Sequence, residues 1–303
     1  MTFSEPYSTP TGVESAIREA ARNASRQDHS LGTDMRIRLE YFNRFLSRIF
    51  SEAEGSDWVL KGGAGILARI PSTRSTRDID LYRPGFTLEQ AVEDLKRLAR
   101  LDLQDHFRFE YISHETAIGA ETQPYTEGCR VTFNIFIGPA KRGSLQIDLA
   151  IGLGLTDDVT VCLPATALPI PRLVSNPYRL YPIVDQLADK VCATMTDFDG
   201  RASSREKDLV DIIVFAVTQD IDGTALNDAI EIERRRRKMA PLETFRVPTT
   251  WGRGYSIQRR SVPHCDNYPT VDQAAELAAR LIGPALTAES RGQTWSAELL
   301  DWH

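Results

Sequence analysis

The chain has 303 residues, 42% of them hydrophobic and 26% charged, with a formal net charge of −6. That length suits one or two soluble domains with a sizeable core, and the acidic balance argues against a general nucleic-acid coat protein while leaving room for a local basic patch. Cys129, Cys162, Cys192 and Cys265 form no C-x-x-C pair, so neither a zinc site nor a disulfide framework is expected, and reduced thiols fit a cytoplasmic setting.

Residues 1–33 read as an N-terminal arm with one short helix around Gly12–Asn23; the segment lacks the apolar stretch of a signal peptide, and no later run is long enough to span a membrane. From Asp34 onward Ile37, Phe42, Phe45, Leu46, Ile49 and Phe50 recur near helical spacing, with Arg36, Arg38, Arg44 and Arg48 between them. This is read as a scaffold helix with a solvated basic face, in preference to an RNA-contacting one. Trp58–Leu60 is a short strand that runs into Lys61-Gly62-Gly63-Ala64-Gly65 and a helix ended by Pro71. A glycine turn entering a helix is a phosphate cradle in outline, because the first helical amides have no partner. It has neither P-loop nor dinucleotide-fold spacing.

A polar loop holding Ser72, Thr73, Ser75 and Thr76 then leads to Asp78-Ile79-Asp80. Residues i and i+2 of a strand share a face, so the two carboxylates are expected side by side, where a divalent cation would relieve their repulsion. Thr87 and Gln90 open an amphipathic helix as a capping box. Strands are expected at Phe107–Ile112, Cys129–Ile137 and Leu145–Ile151, and alternation in the last one places Asp148 as a candidate third carboxylate.

Proline-rich sequence from Pro164 to Pro182 sets a domain boundary near residue 165. Beyond it a helix from Ile183 to Met195 carries Lys190, and an apolar helix carries Asp208 and Asp211 on one face. Asp211 lies deep in the apolar run and needs a partner, for which Lys190 is the candidate. Thr224–Met239 is a helix ending in Arg234–Lys238, Pro241–Pro269 is irregular, and Thr270–Ile282 and Ala288–Leu300 are expected as closing helices.

Taken together, Lys61-Gly62-Gly63, Asp78-Ile79-Asp80, Lys190 and Asp208-x-x-Asp211 give the chain a resemblance to the AbiEii/MenT-type nucleotidyltransferase toxins over roughly residues 55–220. The resemblance implies an α+β fold: a polymerase-β-like mixed sheet with flanking helices over 34–164, and a mainly helical domain over 165–303 that completes the active site. It implies transfer of an NMP from an NTP to the 3′ end of tRNA, with Mg²⁺ or Mn²⁺, and a separately encoded AbiEi/MenA-type antitoxin. Carried onto this sequence, Asp78, Asp80 and Asp148 would hold metal. Lys61, Gly62 and Gly63 would carry the triphosphate, with Lys190 neutralising it, Asp208 beside it and Asp211 holding Lys190. Some antitoxins of this kind resemble kinases, and a phosphate on Ser75 or Thr76 would add about −1.5 to −2 charges next to the carboxylates. The residues alone also suit transfer to a protein hydroxyl or a small molecule, or a catalytically silent nucleotide-binding regulator.

Overall fold

A computed structural model describes residues 5–115, 127–152, 154–198 and 201–303; the first four residues of the expected arm lie outside them. The chain divides into two compact units, Met1–Pro71 with Ser75–Gly154 and Thr160–Leu180, and Ser72–Arg74 with Leu155–Val159 and Tyr181–His303.

The first unit begins with α1 (Pro10–Gln27), longer than expected because Thr9 caps it and Pro10 sits where a helix tolerates proline. Next come α2 (Thr33–Ile49), β1 (Val59–Lys61), α3 (Gly62–Arg69), β2 (Ile79–Pro84) and α4 (Leu88–Ala99). At α4 both halves of the Thr87/Gln90 capping box form. Strands β3 (Phe107–Glu115), β4 (Gly128–Ile137), β5 (Ala140–Gly152), β6 (Thr160–Cys162) and β7 (Tyr178–Leu180) complete a seven-stranded sheet in the order β3-β4-β5-β2-β1-β7-β6. The sheet is mixed: β2 runs parallel to β5 and β1 parallel to β7, while the other neighbours are antiparallel.

Alternation decides which face is core. Val131, Phe133 and Ile135 of β4 and Leu145, Ile147 and Leu149 of β5 are buried, each such side chain contributing about 1.5–3 kcal/mol. Helix α2 covers that face, with Phe45 lying 5.1 Å from Phe109 and 5.2 Å from Phe133 between ring centroids. Its basic residues do not form the expected solvated face. Arg48 is fully buried and grips Asp105 at 2.6 and 3.0 Å, Arg44 pairs with Glu40 at 2.8 Å, and Arg36 pairs with Asp28; Arg38 is exposed. Buried arginines need such partners, and Glu40 and Asp105 are buried with Arg44 and Arg48. The proline-rich connector supplies β7, whose Leu180 pairs with Leu60 of β1, so this unit extends to Leu180 rather than ending near residue 165.

In the second unit α5 (Ile183–Met195) starts directly after Pro182, and a two-stranded ribbon follows, β8 (Asp197–Phe198) with β9 (Arg201–Ala202). Helix α6 (Glu206–Thr218) is buried nearly all round, from Asp208 to Ala216. Around it come β10 (Ile221–Asp222), α7 (Gly223–Arg236), α8 (Arg253–Arg259) and α9 (Val271–Leu286). The helix expected over Ala288–Leu300 does not form. Gly292 turns the chain at φ +80°, and β11 (Thr294–Ser296) pairs with β10 and with β12 (Asp301–Trp302). Trp295 explains the difference, since its ring is buried and its Nε1 donates to the Ala216 carbonyl at 2.8 Å.

Candidate active site

Four adjacent strands of the first unit place one charged row across the sheet. Arg130 on β4 stands opposite Asp148 on β5, Asp148 opposite Asp80 on β2, and Asp80 opposite Lys61 on β1. Directly opposed residues share a face, and neighbouring strands lie about 4.8 Å apart, so two carboxylates sit side by side between two cations. Asp78 lies just before β2, two residues ahead of Asp80, and both are half-buried.

Gly62 begins α3 at φ +63°, and a Cβ there would fall 2.0 Å from Asp80 Oδ2. Only a residue without a side chain both takes that conformation easily and lets the carboxylate close on the backbone. Gly63 follows, buried, at the N-terminus of the eight-residue α3, whose cap position, Lys61, contributes no side-chain hydrogen bond. The Lys61 side chain therefore does not serve as the cap of this helix.

Both Asp148 oxygens accept hydrogen bonds from Arg130, Nε at 2.7 Å and Nη2 at 2.8 Å. These bonds to Asp148 hold the Arg130 guanidinium far above its ordinary range, and the charges of Asp148, Asp78 and Asp80 add to that. All three acids therefore act on one arginine. Among the described residues, no group of three His, Cys, Asp or Glu side chains could hold a metal by itself. Asp78 and Asp80 could hold a hard cation in the manner usual for Mg²⁺, with one or two carboxylates and substrate oxygens sharing the shell. Asp148, with both oxygens on Arg130, stands beside that pair.

In the second unit Lys190 Nζ lies 2.5 Å from Asp211 Oδ2 and 3.2 Å from Asp208 Oδ1, and all three side chains are buried. Arg74 closes the other side of Asp211 through Nε at 2.8 Å and Nη2 at 2.7 Å, and Arg205 reaches Asp208 at 2.5 Å. Burial pushes the Lys190 ammonium down, but the charges of Asp211 and Asp208 outweigh it and hold the group above its ordinary value. Burial likewise pushes Asp211 up, and Lys190 and Arg74 reverse that.

The family model for the AbiEii nucleotidyl transferase toxin of type IV toxin–antitoxin systems matches residues 44–278. The chain belongs to that family. Its fold is similar to that of MenT4, a nucleotidyltransferase toxin from Mycobacterium tuberculosis H37Rv, at 16% identity, with a TM-score of 0.54 and 89% of each chain covered. It also aligns with JHP933 from Helicobacter pylori at 12% identity and a TM-score of 0.41, covering 83% of this chain and 92% of that one. No curated protein sequence matches it.

As an AbiEii-family nucleotidyltransferase toxin it implies an antitoxin partner, and none of its described helices is long and apolar enough to cross a membrane. The sequence reading misses Arg130 altogether, and it takes Arg74 for part of a cationic RNA track rather than for a partner of Asp211. Arg130 needed the β4–β5 register to be seen, and the Arg74 pairing needed the burial of Asp211. The cationic run of α7 is largely neutralised: Arg234 and Arg235 reach Glu231, Arg236 reaches Glu233, and Arg237 reaches Glu233 and Asp189. In the loop before the acids Thr76 is 9% exposed and donates to the Asp78 carbonyl at 3.2 Å, whereas Ser75 is exposed.

Proposed function

We propose that this toxin transfers a nucleoside monophosphate from an NTP to the 3′-terminal hydroxyl of tRNA, with Mg²⁺ or Mn²⁺, and so blocks aminoacylation and translation. The observation that supports it is the Arg130–Asp148–Asp80–Lys61 row, with Gly62 pressed against Asp80. Phosphoryl transfer asks a protein for position and charge neutralisation more than for covalent chemistry. In the reaction the hydroxyl oxygen bonds to the α-phosphorus, the bond to the bridging oxygen breaks, pyrophosphate leaves, and the hydroxyl proton passes to a carboxylate or to solvent.

Each residue has a part in this reading. Gly62 and Gly63 present amides to the triphosphate, and Lys61 supplies a cation at the same end of β1. Asp78 and Asp80 hold the divalent cation, which supplies charge neutralisation where the triphosphate lies. Asp148, kept in place by Arg130, orients the acceptor hydroxyl. The separately encoded AbiEi/MenA-type antitoxin would restrain this activity.

The test is a transfer assay with the purified chain, total tRNA, Mg²⁺ or Mn²⁺ and each α-labelled NTP in turn. Label in tRNA with the wild type and none with Asp80→Ala is the expected result. Label that enters protein or a small molecule instead would replace the tRNA acceptor, and equal labelling by Asp80→Ala would overturn the assignment of the acids.

A further inference from the structure

The arginines of the α7 run are spent on acids of α7 and α5, but another cationic stripe is not. Arg18, Arg22 and Arg26 follow one another every fourth residue on α1 and are exposed. None of the three makes an ion pair or hydrogen bond among the described residues. Spacing of four residues puts them about 6 Å apart along one helix face. Glu19 lines the same surface and offsets part of their mutual repulsion, but three guanidinia to one carboxylate leave the stripe net cationic and suited to an anion.

A separate groove of about 550 Å³ lies between the start of α2 and the β4–β5 hairpin, lined among others by Arg38, Tyr41, Arg142 and Gln146. The connection is physical. Arg142, on the groove, pairs with Glu14, which stands one turn before Arg18 on the same face of α1. The groove's other end meets the acids. Arg38 donates to the Arg77 carbonyl at 2.8 Å, one residue before Asp78. Gln146 lies two residues before Asp148 on the same face of β5. A half-buried tyrosine ring, arginine guanidinia and an amide suit an unpaired nucleotide, which stacks on an aromatic face and offers base edges to hydrogen bonds.

We infer that α1 and this groove are the acceptor track: RNA phosphates lie along Arg18, Arg22 and Arg26, and the single-stranded 3′ end enters past Tyr41 towards Asp78 and Asp80. The inference rests on the proposed RNA acceptor and names the surface of this chain that takes it.

The experiment measures fluorescence anisotropy of labelled tRNA with the full chain from 50 to 200 mM KCl. It compares the wild type, Arg18→Glu/Arg22→Glu, the milder Arg18→Gln/Arg22→Gln, and Arg100→Glu, a charge reversal at the exposed end of α4. The track requires tRNA affinity to fall about tenfold or more in Arg18→Glu/Arg22→Glu, and the slope of log affinity against log salt to flatten by about 1.5, which corresponds to two lost phosphate contacts. The Gln pair should show the same direction, and Arg100→Glu should stay within about twofold of the wild type. If the wild type labels tRNA while both α1 variants bind it as Arg100→Glu does, the track is wrong and the acceptor assignment stands. If the wild type neither labels nor binds tRNA, the proposed function has failed first.

Discussion

Asp80 stands directly opposite Asp148 in the parallel register of β2 and β5, and Arg130 takes both oxygens of only one of them. Asp148 is thereby anchored beside Asp80 and Asp78, the pair proposed above for the cation. Replacing Arg130 with alanine should cost about 1 kcal/mol, since the pair is partly exposed, its side chains being 40% and 18% accessible. In EDTA the Tm should fall by about 2–4 °C. Millimolar Mg²⁺ or Mn²⁺ should raise the Tm of Arg130→Ala more than that of the wild type, because three acids then share the ion. Equal metal-induced shifts in differential scanning fluorimetry would mean that the freed Asp148 does not join the site, and no shift in either protein would count against Asp78 and Asp80 as a cation site.

Gly62→Ala tests the close approach of backbone and carboxylate. The left-handed conformation costs an alanine about 1 kcal/mol, and its methyl would displace the Asp80 carboxylate outright. The variant should stay folded, with a Tm within a few degrees of the wild type, and should lose about 100-fold in kcat. Retention of more than half the wild-type rate would mean that the Asp80 position seen here is not the working one.

The buried cluster of the second unit predicts an asymmetry. Lys190→Met leaves Asp211 on Arg74 and Asp208 on Arg205, so every charge keeps an opposite partner. Asp211→Asn leaves Lys190 and Arg74 without that shared carboxylate, the kind of loss that costs about 3–5 kcal/mol. Urea unfolding should therefore find Asp211→Asn the less stable of the two by at least about 2 kcal/mol. A Lys190→Met protein that is nearly as stable as the wild type but inactive would give Lys190 a part in transfer beyond holding α5 to α6.

The same cluster fixes a pH dependence. Asp211 is lowered in the folded chain, so its contribution is full above the unfolded carboxylate value of about 3.9 and is lost as the pH falls through the folded value. Lys190 is raised, so its contribution is full below about 10.4 and is lost as the pH rises through its folded value. Stability from this pair is thus flat across neutral pH. Below about pH 4 the wild type should lose up to about 1.4 kcal/mol per pH unit that Asp211→Asn does not, readable from urea midpoints at pH 3 to 6.

What could be read from the sequence was what short-range rules govern. The Thr87/Gln90 cap, the apolar alternation of β4 and β5, and the order of Gly62-Gly63, Asp78-x-Asp80 and Asp208-x-x-Asp211 all depend on neighbours in the chain. Arg130 was out of reach because its meaning comes from standing opposite Asp148 across a hairpin. The basic residues of α2 misled because periodicity marks them as polar without revealing that Asp105 and Glu40 follow them inside. Trp295 drew the last segment into strands through one buried hydrogen bond to Ala216 that no helical pattern signals.

The three-residue strand β1 has a consequence for how the toxin is made. It is flanked by β2, close in sequence, and by β7, on the order of a hundred residues later, and such distant pairings form slowly. A nascent chain synthesised as far as β5 can already set Asp80 beside Asp148, yet β1 still presents an open edge. That edge closes only once Leu180 has left the ribosome, so until then the growing polypeptide exposes a strand that other chains can pair with.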